Sequence, residues 1–190
     1  MTLKILTPPR LEPITLDQVK THLRLLHTQD DHLLDLMITS ARERVEAFLN
    51  QGLIQQQVVF SSPLPYLKRR GLSPFKTTDK HLRFRIPWRP LLEVESLAFV
   101  GNKKRLSVPL KRINVESISG WISFSWWTFP DQSLEIIYQA GYGSTPDHVP
   151  AVFREAILEL VVAKYERRLS FNEQTQLLHR LLAPHRNKEI

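Results

Sequence analysis

The sequence predicts an α+β fold, mainly an α-helical bundle of four helices with a small antiparallel β lobe inserted in it. Three observations carry this. Apolar residues recur at three- and four-residue spacing toward both ends of the chain, which is the period of a helix face. Between residues 53 and 140 the pattern changes to short β-rich runs separated by turn residues. Pro63, Pro65, Pro74, Pro87, Pro90, Pro109 and Pro130 fall between or at the ends of those runs, where a missing N–H does not interrupt a ladder. The expected organisation is an N-terminal arm with two helices over 1–52, the β lobe over 53–140, and the last two helices with a tail over 141–190.

Residues 1–12 contain Pro8 and Pro9, with Pro13 just beyond, and read as an extended arm. Thr15 followed by Gln18 matches a capping box, in which each side chain satisfies the other residue's backbone N–H. Leu16, Val19, Leu23 and Leu26 give the short first helix its apolar face. Asp30 or Asp31 caps a second helix, whose stripe runs through Leu33, Leu34, Met37, Ile38, Ala41, Val45, Phe48 and Leu49 before Gly52 ends it.

In the β-rich stretch the expected strands are 56–61, 82–86, 94–100, 113–116, 120–124 and 133–138, and 67–80 reads as a basic loop. Gly141 and Gly143 then give a flexible turn. Pro150 opens a third helix that runs to about residue 169, with Phe153, Ala156, Ile157, Leu160 and Val161 at helical spacing. A last helix over about 173–182 aligns Leu177, Leu178, Leu181 and Leu182 and stops before Pro184.

With 190 residues the chain is long enough for a real core. It has no cysteine, so disulfides and thiolate metal sites are excluded. No apolar run approaches a membrane span, and a soluble, unexported protein is the expectation. The net charge of +7 is uneven. From 64 to 112 there are 13 Lys or Arg against Asp79, Glu93 and Glu95, a surplus of ten, which leaves the remainder at −3. Such a middle attracts a polyanion or an acidic partner surface, or is a solvated loop region.

Motifs for chemistry are sparse. Gly141 and Gly143 lack the spacing and the lysine of a phosphate loop. His22, His27, Asp30, Asp31 and His32 have ligand chemistry, but His22 and His27 are five apart and share no helix face. His81, His148, His179 and His185 stand alone, and no nucleophile signature appears. Trp121, Phe124, Trp126, Trp127 and Phe129 form an aromatic cluster without interleaved basic residues, which suits core plus interface better than base stacking. No catalysis, metal or cofactor is expected.

Five segments in order resemble the head-tail connector (adaptor) proteins of tailed bacteriophages and phage-like gene transfer particles: 13–24 with Asp30 and Asp31 and the helix after them; Pro87 to Ser96; Ile136 to Gly143; Val149 and Pro150 with Tyr165 to Arg168; and Leu181 to Arg186. The tail motif carries His185 where relatives often have Tyr, and the basic loop 67–80 maps to no family element.

The resemblance implies a structural subunit of the virion or phage-like particle, made in the bacterial cytoplasm and placed at the head-tail junction. It implies a homo-oligomeric ring of about twelve copies beneath the portal protein, facing a stopper or tail-terminator protein, with DNA passing nonspecifically through and no membrane partner. The expected portal-docking residues are Leu177, Leu178, Leu181, Leu182, Pro184, His185 and Arg186. The alternative is a nucleic-acid-binding module acting in DNA packaging, for which Lys68, Arg69, Arg70, Lys103, Lys104 and Arg105 would meet phosphates.

Overall fold

The computed structural model describes residues 1–63, 81–101, 105–125, 133–166 and 170–186. They form two compact units, one of residues 1–8 and 55–141 and one of residues 9–54 and 142–190, so the chain passes between them at 8–9, 54–55 and 141–142. Helix and antiparallel sheet coexist as the sequence predicts.

The first unit holds two antiparallel sheets. In the larger, the order is β1 (Thr2–Thr7), β2 (Gln56–Pro63), β8 (Ser133–Ala140), β4 (Leu91–Val100) and β5 (Arg105–Ser107). The smaller is β3 (His81–Arg85), β7 (Trp121–Ser125) and β6 (Ile113–Glu116). β2 and β8 are the spine, paired without a break from Gln56 opposite Ala140 to Pro63 opposite Ser133. Their alternation puts Val58, Phe60, Leu134, Ile136 and Tyr138 inward, where they share a core with Phe84, Phe99, Ile122 and Phe124.

Residues 2–7 are extended, as read, but they are a strand: Leu3 stands opposite Phe60 and Ile5 opposite Val58, with a bulge before Thr7. β5 is likewise a strand that the sequence reading omits.

The second unit is built from α1 (Leu16–Leu23), α2 (Asp31–Leu49), α3 (Ala151–Tyr165) and α4 (Phe171–Leu182). The capping box of Thr15 and Gln18 is formed, with Gln18 N–H donating to Thr15 Oγ1 at 3.2 Å and Thr15 N–H to Gln18 Oε1 at 3.0 Å. Arg24, in the left-handed region at φ 56°, ends α1. Leu26 therefore falls off the helical face and is 99% exposed. Leu33 also leaves the expected stripe and is exposed beside Leu36, while Leu34, Met37, Ile38, Ala41, Val45 and Leu49 are buried.

Asp30 and Asp31 do not cap α2 through their side chains. Asp31 accepts from Lys20 Nζ at 2.7 Å, and Asp30 accepts from Tyr165 Oη at 2.8 Å, which raises the Tyr165 phenol above its ordinary value. Asn50, at φ 57°, ends α2 two residues before Gly52. Pro150 sits one place earlier than read, at the N-cap of α3, where its carbonyl accepts from Phe153 N–H at 3.0 Å.

The turn glycines act differently. Gly141 has φ +127°, which side-chain-bearing residues rarely adopt. Gly143 instead supplies room, because a Cβ there would lie 2.2 Å from His148 Nδ1 and 2.8 Å from its Cβ.

One buried polar chain ties the helical unit together. Arg42 Nε donates to Glu12 Oε2 at 2.8 Å and its Nη1 to Glu46 Oε2 at 2.6 Å, while Glu12 also accepts from Thr39. Glu46 Oε1 accepts the Leu53 N–H at 2.8 Å. Burial alone would lower the Arg42 pKa, but the Glu46 and Glu12 carboxylates outweigh it and raise the value.

Glu46→Ala removes both bonds of a carboxylate that is 1% exposed and strands the guanidinium, so we expect a loss of about 3–5 kcal/mol in urea unfolding of the helical unit. Glu43→Ala, whose carboxylate is exposed at 3.7 Å from the same guanidinium, is expected to cost under about 0.5 kcal/mol. Gly143→Ala forces the turn against His148 and is expected to destabilise by about 1–3 kcal/mol, most of it recovered when His148→Gly is added, as thermal melts would show.

Candidate functional site

The expected docking residues lie on α4 and the short 3-10 turn Ala183–His185 that follows it. α4 starts where it does because Ser170 and Glu173 form a second capping box: Glu173 N–H donates to Ser170 Oγ at 3.5 Å, and Ser170 N–H to Glu173 Oε2 at 2.7 Å. The Ser170 hydroxyl, which donates to Glu173 Oε2 at 2.7 Å, and then the Ser170 N–H hold the Glu173 carboxyl below its usual range. Residues 178 and 182, one turn apart, share the face that packs inward. Leu178 and Leu182 are accordingly buried in the helical core, with Leu177 and Leu181 half-buried against it. Gln174, also buried, accepts from Arg44 Nη1.

Beyond α4 the chain hooks back over the end of α2. Gln51 Nε2 donates to the His185 carbonyl at 2.8 Å, and Tyr142 Oη donates to Gln51 Oε1 at 2.9 Å. Burial raises the Tyr142 phenol, so it stays a donor at any physiological pH. The His185 ring meets the Phe153 edge at 5.4 Å between centroids, His179 meets Phe48 at 4.8 Å, and the Arg186 guanidinium lies 5.3 Å over Phe48. Pro184, His185 and Arg186 remain exposed on the outer side of this hook. Gln51 and Tyr142, which position the hook, have no local sequence signature and are absent from the expected docking set, while Phe48 is expected only as part of the α2 stripe.

Of the expected polyanion residues, only Arg105 is among the described ones. Lys68, Arg69, Arg70, Lys103 and Lys104 lie outside the described residues, as do Trp126, Trp127 and Phe129. Arg105 is engaged across the sheet, its Nη1 2.8 Å from Glu135 Oε1. The outer face of the smaller sheet brings together a different set: the Arg83 guanidinium lies 4.4 Å and that of Arg85 6.0 Å from the Trp121 ring centre. Arg85 Nε and Arg89 Nη1 both donate to the Ser119 carbonyl, at 2.7 and 2.9 Å. Gly120, at φ +69° and with Arg89 against the space a Cβ would fill, lets this hairpin turn close.

Among the described residues no three His, Asp or Glu groups converge as metal ligands, and no helix is long and apolar enough to cross a membrane.

Comparison with known proteins agrees with this fold. Residues 13–69 match the family model of phage gp6-like head-tail connector proteins. No curated protein matches the chain. Among solved structures, a chain from the neck of an empty gene transfer agent particle with C6 symmetry superposes with a TM-score of 0.72 at 17% identity, covering 100% of this chain and 97% of that one. A chain from the virion of a native gene transfer agent particle gives 0.71, and one from the neck of a native particle with C12 symmetry gives 0.69, each at the same identity and coverage.

The pH response of α4 follows from its cap. The folded Glu173 pKa is depressed, so its contribution to the first turn is present above the unfolded carboxylate value and is lost as pH falls through the folded one. Acidification across the carboxylate range is expected to lower the amide protection factors of Ser170, Glu173 and Gln174, each rate being referred to its intrinsic rate at that pH, and Glu173→Gln is expected to flatten that response in an NMR titration. Residues 13–69 thus carry the sequence signature of phage head-tail connectors, and the chain over its whole length carries the fold of a gene transfer agent neck chain.

Proposed function

We propose that this chain is a structural head-tail connector subunit that forms a ring beneath the portal of a phage or phage-like particle, joins head to tail and lets DNA pass through. The observation that carries the reading is the coincidence of a connector signature in residues 13–69 with a neck-chain fold over the full length. The ring would hold about twelve copies, made by one heterologous contact repeated around an axis. No catalytic step is proposed, and on the tail side the ring meets a stopper or tail-terminator protein.

Unmatched apolar surface on the helical unit supports self-association. Leu26 is 99% exposed, and Leu33 and Leu36 on the outer face of α2 are 45% and 57% exposed, a surface that a neighbouring copy can cover. Portal docking falls to the exposed Pro184, His185 and Arg186, flanked by Leu177 and Leu181; Leu178 and Leu182 contribute by holding α4 to its own core. The expected organisation of arm and helices over 1–52, lobe over 53–140 and docking end over 141–190 carries into this proposal, with the arm's strand β1 placed on the lobe side.

Leu36→Glu is expected to leave the circular dichroism spectrum and melting temperature unchanged while shifting native mass from ring to monomer, with or without portal. Removing 184–190, or combining His185→Ala with Arg186→Ala, is expected to weaken co-sedimentation with portal by about tenfold or more without unfolding α4. Unchanged rings in the first case and unchanged portal binding in the second would overturn the two assignments separately.

A further inference from the structure

The first eleven residues carry more apolar surface than their own chain covers. Met1, Leu3, Ile5, Leu6 and Leu11 are between 37% and 51% exposed, and every residue of β1 is exposed. Leu3 and Ile5 stand opposite Phe60 and Val58 on the core side of the sheet, yet neither joins the buried cluster to which those two residues belong. β1 is an edge strand with β2 as its sheet neighbour, so its attachment rests on main-chain hydrogen bonds to one strand and on the Thr7 hydroxyl, which donates to Gln57 Oε1 at 3.2 Å.

The chain leaves β1 through Pro8 and Pro9. Each proline fixes its own φ and biases the residue before it toward extended backbone, which makes a stiff tether. Its far end is anchored. Glu12 accepts from Arg42 Nε at 2.8 Å and from Thr39 Oγ1 at 2.9 Å, and Ile14 is buried in the helical core. From Thr7 to Glu12 the backbone spans at most about 17 Å. A lightly held element on a short, stiff hinge is the kind that identical chains exchange.

We propose that β1 is exchanged between copies of this chain, the strand of one subunit lying on β2 of the next in the register that runs from Thr2 opposite Ser61 to Thr7 opposite Gln57. A second copy is the occupant because the acceptor is already built on every chain. Exchange reproduces the main-chain ladder and the Thr7–Gln57 bond one for one, so pairing energy does not oppose it, whereas an unrelated strand would have to match both. What exchange adds is cover for the apolar arm, because Leu6 and Leu11 at the two ends of the tether meet a neighbour once the strand crosses to it. Each copy gives one strand and receives one, which is a heterologous contact that closes by rotation. A neighbour that loosens stays tethered at high effective concentration and re-engages.

Exchange presupposes the self-association proposed above, and one experiment separates the two. The chain has no cysteine, so Lys4→Cys with Val59→Cys sets one thiol pair directly opposite on the outer face of the sheet, and Thr2→Cys with Ser61→Cys sets a second. The full-length double variants are assembled, oxidised gently and run on denaturing gels without reductant, with native mass read on the same samples. Most of the chain is expected to shift from the monomer band to covalent dimers and higher multiples with both pairs, and to return on reduction. Lys4→Cys alone and Val59→Cys alone are expected to stay monomeric on the gel. When these two single variants are produced together, one lengthened by an affinity tag, cross-links are expected to join one chain of each kind. Rings whose disulfides close within single chains would overturn exchange and leave the connector reading standing. Covalent multiples without rings would support exchange and count against the ring. No cross-link at either pair, or equal multiples from a single cysteine, would overturn exchange as well.

Discussion

The Arg42 guanidinium, nearly sealed from water between two carboxylates, is the constraint on which the helical unit depends. A buried cation with one partner removed is strongly unfavourable, so Glu12 and Glu46 must both be in place when this core closes. Glu46 then uses its second oxygen on the Leu53 N–H, whose own carbonyl accepts from Tyr142 N–H at 3.1 Å. Tyr142 in turn fixes Gln51, and Gln51 holds the His185 carbonyl. A continuous set of polar contacts thus runs from Glu12, before the first helix, to the hook after the last one. The candidate docking segment is thus linked to an ion pair more than a hundred positions earlier in the sequence.

The two units divide the remaining work by surface chemistry. The helical unit is close to neutral and leaves leucines uncovered at the α1–α2 corner and along α2, surface that costs free energy in water while it stays exposed. The β unit buries aromatic and β-branched residues between two sheets, and its residues carry the whole positive excess of the chain, 14 Lys and Arg against 6 Asp and Glu. Apolar contact is short-ranged and shape-specific, whereas charge attraction is long-ranged and tolerant of position.

Features governed by local rules were legible in the sequence. The Thr15 capping box, the helical stripes of α2 and α3 and the alternation of β2 and β8 follow from residues a few positions apart. Features decided by distant partners were not. β1 becomes a strand because Leu3 and Ile5 stand opposite Phe60 and Val58, more than fifty residues on. Asp30 and Asp31 look like caps, yet Tyr165 and Lys20 claim their carboxylates. Leu26 fits the period of α1, but Arg24 turns left-handed before the helix reaches it. The four leucines of α4 are legible as one face at helical spacing, and only the packing of that face shows that Leu178 and Leu182 are buried in the core with Leu177 and Leu181 half-buried against it. Gln51 has no signal at all, since a glutamine after a helix has many possible partners and its role comes from Tyr142 and His185 converging on it.

That division of α4 also sets where the proposed docking segment can be exchanged for a partner. Pulling Leu178 and Leu182 from the core would forfeit about 1.5–3 kcal/mol each and would strand the Arg44–Gln174 contact as well. The hook beyond residue 182 is held differently, by one hydrogen bond to a backbone carbonyl and by ring-edge contacts of about 0.5–1.5 kcal/mol each, with Arg186 over Phe48 already open to water. A portal surface offering one carbonyl-directed donor and an aromatic edge would match these contacts at nearly equal free energy, so the exchange needs no unfolding of α4. In the proposed docking, the segment free to exchange partners would therefore begin after Leu182, where the last fully buried side chain ends the helix.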